Sequence, residues 1–287
     1  MASAFLSVSA VATAAPLNPS YQEAEFEFYM SDLNIKALIV EKSSTSAAMT
    51  VAKSQDIQII EISWKNDDVA GTFKYLIPSG KFKNNSHSAL PNDTALVLHT
   101  SGTTSRPKIV PLSQVKLVVS AQNIMRTINL STTDCCLNIM PLFHIHGLIA
   151  AILASVAAGA SVFCCPTFNA LRFFAWLGEA KPTWYTAVPT MHQTILSRAE
   201  RNRKIIAHVQ LRFIRSSSAS LPPKIMKQLE ETFDAPVIEA YGMTEATHQM
   251  ASNPLPPKTR KAGSVGYAAG PEIEVMNASG QLLKTGQ

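Results

Sequence analysis

Two short segments carry the side chains best suited to chemistry. Thr100-Ser-Gly-Thr-Thr-Ser-Arg-Pro-Lys108 supplies hydroxyls at Thr100, Ser101, Thr103, Thr104 and Ser105, a permissive Gly102, and then two cations, Arg106 and Lys108. It follows the apolar run Ala95-Leu-Val-Leu-His99 and precedes a helical pattern over residues 113–128, so it reads as the loop of a strand–loop–helix unit. Backbone N–H groups, hydroxyls and a fixed cation at such a loop are what a polyphosphate needs. The second Gly and the Lys-Ser/Thr pair of a Walker loop are missing. A polar surface loop would account for Ser and Thr in general, but poorly for this whole string after a buried strand. Tyr241-Gly-Met-Thr-Glu245 also follows a strand pattern. An aromatic, a Gly, a hydroxyl and a carboxylate in five residues can stack a base, turn the chain, bind a phosphate and hold a metal. A Tyr-Gly turn alone is common; the two segments together carry the argument.

The other reactive residue types are less telling. Of seven histidines, His87, His192 and His208 read as structural or solvated, and His99 as support for a strand. His146 is equally well read as a packed core residue or a site residue. The cysteines stand in two adjacent pairs, Cys135-Cys136 and Cys164-Cys165, without metal-ligand spacing. In a strand, neighbours point to opposite faces, so these read as small buried hydrophobes in a reducing compartment.

The elements that must position these residues alternate between strand and helix. Helical spacing over 23–33, a short apolar run at 37–40, a helix over 44–53 and a strand over 57–62 open the pattern. Strands are expected at 95–99, 135–140, 161–165, 184–185, 211–215 and 237–241. Helices are expected at 113–128, 148–158, 169–179, 189–201 and 222–233, and a hairpin turns at 278–280. This alternation predicts an α/β fold built on parallel sheet with crossover helices. Composition agrees: 46% of the 287 residues are apolar and 16% charged, which excludes disorder and predicts a sizeable core. No apolar run is long enough to span a bilayer. The net charge of +5 comes without the basic stripe and interleaved aromatics of a nucleic-acid binder, and suits a protein that handles anionic, phosphorylated ligands.

Thr100 to Lys108 resembles the signature phosphate loop of the adenylate-forming superfamily, which includes acyl-CoA synthetases, luciferases and peptide-synthetase adenylation domains. Pro141-Leu-Phe-His-Ile-His-Gly147 resembles that superfamily's next motif, and Tyr241 to Glu245 the one after. Within it, Pro16-Leu-Asn-Pro-Ser-Tyr21, Ser105 and Glu245-Ala-Thr-His-Gln-Met250 are similar to the oxalate–CoA ligases of plants and fungi. The resemblance implies stacked, mostly parallel sheets with covering helices, as in the large N-terminal domain of adenylate-forming enzymes, and an acid–CoA ligase with ATP, Mg²⁺ and coenzyme A. A carboxylate attacks the α-phosphorus of ATP, pyrophosphate leaves, and the CoA thiol then displaces AMP. It implies that Thr100, Ser101, Gly102, Thr103, Thr104 and Lys108 hold the β- and γ-phosphates. It implies Thr244 on the α-phosphate, Glu245 with Thr104 at the metal, and Tyr241 on adenine beside Ser218, Ala219, Glu239 and Ala240. For a dicarboxylic acid, a second negative charge must be met by donors or a cation; His144, His248 and Ser218 are the candidates, His144 also in a catalytic role. Two departures from the family pattern are Ser105 and Ile109, each where Gly is commoner; Ile109 is expected to stiffen the loop exit.

Measured against the superfamily, the chain reads as truncated at both ends: a partial adenylation domain, with a truncated first subdomain (1–95), a nucleotide-binding core (96–270) and the start of a terminal β region (271–287). The ribose-binding segment and the small C-terminal domain with its lysine are not found. A cytoplasmic location is expected, or a peroxisomal one if a signal lies further on. Ligases for coumarate-like or medium-chain acids, and an inactive nucleotide-binding remnant, are the alternatives.

Overall fold

The computed structural model of the chain describes all residues except 66, 78–87, 101–106, 285 and 287. Two compact units divide it, residues 3–89 and 90–287. The first contains α1 (Ala2–Ser9), α2 (Glu23–Asp32), β1 (Ala37–Glu41), α3 (Ala47–Ser54), β2 (Gln58–Ser63) and β3 (Lys74–Leu76). β1 and β2 pair in parallel, from Ala37 opposite Gln58 to Glu41 opposite Ile62, and β3 adds antiparallel to β2. A parallel pair needs a crossover, and α3 supplies it. Ser46 starts that helix by accepting a hydrogen bond from the Ala48 N–H at 3.3 Å. Phe26, Met30, Ala48 and Val51 form the small core between α2 and α3.

The second unit begins with an antiparallel hairpin, β4 (Thr94–Thr100) and β5 (Lys108–Ser113), followed by α4 (Gln114–Thr127). β6 (Cys135–Asn138) leads through residues 139–145 into a π-helix at His146–Leu153 and the short α5 (Ala154–Ala157). Then come β7 (Ser161–Cys164), α6 (Phe173–Ala180), β8 (Trp184–Ala187), α7 (Pro189–Ala199), α8 (Arg203–Ile206) and β9 (Phe213–Ser216). α9 (Pro223–Phe233), β10 (Val237–Met243), β11 (His248–Ser252) and β12 (Tyr267–Ala268) complete the set, with a 3₁₀ turn at Thr244–Ala246. Strands β12-β11-β10-β9-β8-β6-β7 form one seven-stranded sheet. Its members from β10 to β7 are all parallel, and β11 and β12 are antiparallel. The expected mixed α/β architecture with a mostly parallel sheet is therefore found. Leu137, Tyr185 and Ile214 from the sheet and Phe173, Ile195 and Leu229 from the helices share one buried core. At 278–280 the expected turn is present, closed by the Met276–Leu282 bridge and the Gly280 N–H donating to the Asn277 carbonyl at 3.0 Å.

One expectation is corrected here. Lys108 does not lead directly into a helix; it opens β5, opposite Thr100. Val110 and Leu112 are buried while Ile109 and Pro111 are exposed, the period-two alternation of a half-buried strand. Thr100 and Lys108 thus pair across two antiparallel strands, and the helix starts at Gln114.

Candidate active site

The parallel strands set a polar row at their C-terminal ends. Asn138 on β6 stands opposite Thr186 on β8, and Thr186 opposite Arg215 on β9. In open α/β sheets this end of the strands is where ligands bind. Arg215 has no exposed surface. Its Nη1 faces His146 Nε2 at 3.4 Å and His248 Nε2 at 3.3 Å, and its Nη2 donates to Gln249 Oε1 at 3.2 Å. Its Nε has no partner. Among the described residues no carboxylate pairs with it. Burial lowers its pKa to about 10, which leaves it charged at neutral pH.

Two imidazoles complete this cluster. His146, at the start of the π-helix, places Nε2 2.6 Å from Thr186 Oγ1 and Nδ1 3.0 Å from Ser218 Oγ. Its ring lies 4.9 Å from that of His248. Burial, then the neighbouring His248 and Arg215, hold His146 well below the usual histidine range; burial and Arg215 do the same to His248. Both are neutral at pH 7. The wide turns of a π-helix are rare and recur at functional sites. Here Gly147 makes the turn possible, because a Cβ on it would meet the Pro141 carbonyl oxygen at 2.5 Å.

Helix α4 fixes the far side. Ser120 Oγ donates to the Thr247 carbonyl at 2.6 Å, and Gln249 Nε2 donates to Thr127 Oγ1 at 3.1 Å and to the Ala269 carbonyl at 3.1 Å. Thr247 and His248 have φ of +55° and +92°, left-handed backbone that these residues adopt only when their surroundings impose it.

The described residues expected at the nucleotide lie on β4, β5 and β10 and in the turns after β9 and β10. Thr100 ends β4 and Lys108, exposed, begins β5. Ser101, Gly102, Thr103 and Thr104 lie outside the described residues. β5 packs against the 3₁₀ turn that holds Thr244 and the exposed Glu245. Tyr241 is 47% exposed, so its ring face is open to a ligand. Ser218 and Ala219 are exposed in the turn after β9, with Ser218 at φ +72°. Glu239 is buried and structural in its contacts: its carboxylate accepts from the Leu221 and Gly263 N–H groups at 3.3 and 3.0 Å. Ala240 lends its carbonyl to Ser217 Oγ at 2.8 Å. Ser218 and His248 therefore belong to the Arg215 cluster, as does His146. His144 stands outside it, exposed, with its ring 4.6 Å from Phe143. Arg215, Thr186 and Gln249 escaped sequence reasoning. The available signal was a second arginine at the end of the apolar strand run 211–215, immediately before Ser216-Ser-Ser218.

The sequence matches the AMP-binding enzyme family over residues 1–287. It is 44% identical over 281 residues to the oxalate–CoA ligase of Arabidopsis thaliana, covering 96% of this chain and 54% of that protein. To the oxalate–CoA ligase of Saccharomyces cerevisiae it is 36% identical over 295 residues, covering 95% of this chain and 54% of that one. The chain thus spans about half the length of these curated relatives. The crystal structure of ATP-bound MatB from Rhodopseudomonas palustris superposes with a TM-score of 0.77 at 24% identity, over 96% of this chain and 54% of that one, a likeness of fold. With sheet order, motif placement and a match along its whole length in agreement, this chain belongs to the AMP-binding enzyme family.

Proposed function

We propose that the chain is the adenylating part of an ATP-dependent acid–CoA ligase, and that its acid is a small dicarboxylate, oxalate first. The observation that carries the choice of acid is Arg215: a buried guanidinium that, among the described residues, faces two neutral imidazoles and an amide and no carboxylate. An unpaired buried charge is costly, and a bound anion offsets that cost. A fatty or aromatic acid would bring no second charge to this cluster. A dicarboxylate keeps one after its other carboxylate has reacted.

The remaining roles follow from residue chemistry and the family resemblance. Lys108 and Thr100, with Ser101, Gly102, Thr103 and Thr104, hold the β- and γ-phosphates. Thr244 donates to the α-phosphate, and the open ring of Tyr241 stacks on adenine beside Ser218, Ala219, Glu239 and Ala240. Glu245 fits Mg²⁺, because this ion takes one or two protein carboxylates and leaves its other positions to phosphates and water. Bound there, the ion would neutralise phosphate charge. The acid's carboxylate oxygen bonds to the α-phosphorus as the bond to pyrophosphate breaks; coenzyme A then displaces AMP through its thiol. For the first step the protein's work is alignment and charge neutralisation. His144, exposed beside Phe143, is assigned to the entrance of the acid pocket rather than its floor.

Pyrophosphate release by this chain, measured with oxalate, malonate, coumarate and octanoate, tests the reading. Oxalate-dependent release is expected. Release with coumarate or octanoate and none with either dicarboxylate would overturn the choice of acid. ATP binding without acid-dependent release would sink catalysis by this chain. Lys108→Ala and Glu245→Ala are expected to weaken MgATP use at least about tenfold, the loss of one charge-assisted contact; unchanged turnover would remove them from their assigned roles.

A further inference from the structure

The geometry around Arg215 favours one placement of the protons on both imidazoles. A guanidinium only donates. Its Nη1 faces His146 Nε2 and His248 Nε2, at 3.4 and 3.3 Å. A proton on either Nε2 would set N–H against N–H beside a buried cation, so both atoms present a lone pair. Each neutral ring then carries its proton on Nδ1. His146 Nδ1 stands 3.0 Å from Ser218 Oγ, so its N–H donates to that hydroxyl. Thr186, 2.6 Å from His146 Nε2, then donates its O–H to that single lone pair, which the more distant guanidinium shares at 3.4 Å. Ser218 Oγ, already accepting, keeps its proton free for another partner. It is also the exposed end of the chain of contacts, held on left-handed backbone.

We infer that Arg215 is a positioning residue: acting through His146, it turns the Ser218 hydroxyl into a donor aimed at the carboxylate of the acid. The inference rests on the ligase reading for the identity of the anion; the proton positions belong to the free protein. In the opposite tautomer, His146 Nδ1 would take the Ser218 proton. Ser218 would then present lone pairs to an anion, and a charge-assisted hydrogen bond would become a repulsion. That exchange corresponds to a tenfold to hundredfold change in acid KM, in round terms about the worth of one hydrogen bond to a charged group.

Long-range ¹H–¹⁵N correlation on the whole chain, labelled at histidine nitrogen, reads the tautomers directly. His146→Gln and His248→Gln assign the signals. Both rings are expected as Nδ1–H with unprotonated Nε2, from about pH 6 to about pH 8. Arg215→Met is expected to shift His146 toward Nε2–H and to raise the KM for oxalate about tenfold or more, with the KM for ATP unchanged. An Nε2–H signal from His146 in the unaltered protein overturns the inference, and that measurement needs no variant to fold. An Arg215→Met protein whose His146 stays Nδ1–H overturns it too. Because the tautomers are read without substrate, Nδ1–H rings in a chain that releases no pyrophosphate would uphold the relay while sinking the ligase reading.

Discussion

His248 occupies space that any side chain at position 242 would claim. A Cβ on Gly242 would meet the His248 carbonyl oxygen at 1.8 Å and its Nδ1 at 3.0 Å. The β10–β11 pairing shifts register between Tyr241 and Gly242, which lets the two backbones approach this closely. Glycine is needed here for the approach, not for a positive φ. Gly242→Ala must therefore push β11 away and draw the His248 ring from Arg215. We expect it to cost about 2–3 kcal/mol of stability by overpacking and to raise the KM for the acid more than that for ATP. Urea unfolding and pyrophosphate kinetics check both; unchanged values would mean β11 yields freely. The Tyr241–Glu245 segment was legible in the sequence, but the reason for its glycine was not. That reason lies in a residue brought back by a strand turn. Arg215 was invisible for the same kind of cause. Arg212, three residues earlier, pairs with Asp134 at 2.9 Å and is partly solvated, whereas Arg215 is sealed among side-chain partners from two other elements, the π-helix and β11. Nothing local in 211–215 separates the two roles.

Helix α4 ties the Arg215 cluster to the β4–β5 hairpin. It follows directly from β5, whose first residue is Lys108, and its Ser120 and Thr127 hold Thr247 and Gln249 two turns apart. Ser120→Ala would leave the buried Thr247 carbonyl without its donor, at a cost of about 1–2 kcal/mol. Because Thr247 precedes His248 on strained backbone, the variant is expected to raise the acid KM severalfold and to leave the KM for ATP near its original value. Equal changes in both would show that α4 braces the whole unit rather than the acid end. Most of this architecture could be read from the sequence, since apolar runs of strand length alternate with helical spacing from residue 95 to residue 241. β5 could not, because Pro111 breaks the run and the hydroxyl-rich loop drew the reading toward a helix start. The π-helix at His146–Leu153 was also hidden: residues 148–153 read as part of an ordinary apolar helix, and His146 and Gly147 as the loop before it. Its wide turn depends on Gly147 against the Pro141 carbonyl and on the His146 ring tied to Thr186, contacts that exist only in the folded sheet.

The unit formed by residues 90–287 keeps several imidazoles uncharged by burying them, and this makes its stability depend on pH. Burial lowers the pKa of His192 to about 4 from an ordinary 6.5, and pushes His146 and His248 well below that value as well. An unfolded chain takes up a proton at each of these rings below about pH 6.5, while the folded one refuses it. The unfolded state thus binds more protons, and stability falls as pH drops from 6.5 toward 4. Below the folded value both states are protonated and this contribution to the decline levels off. For His192 the full loss is at most about 3 kcal/mol, from the size of its displacement. Asp134 adds a later loss. Burial raises its pKa, but hydrogen bonds from Arg212 and Thr183 outweigh that and hold it below 3.8, so its contribution disappears only in stronger acid. Urea midpoints are therefore expected to fall steadily between about pH 6.5 and about pH 4, ahead of the carboxylates. His192→Leu isolates one ring. It removes the contact between the Tyr185 hydroxyl and His192 Nδ1 at 3.2 Å, a cost that does not vary with pH over this range. The variant should be weaker at pH 7 yet lose less on acidification. If its midpoints decline with the same slope as the parent's, His192 is not a source of the acid sensitivity.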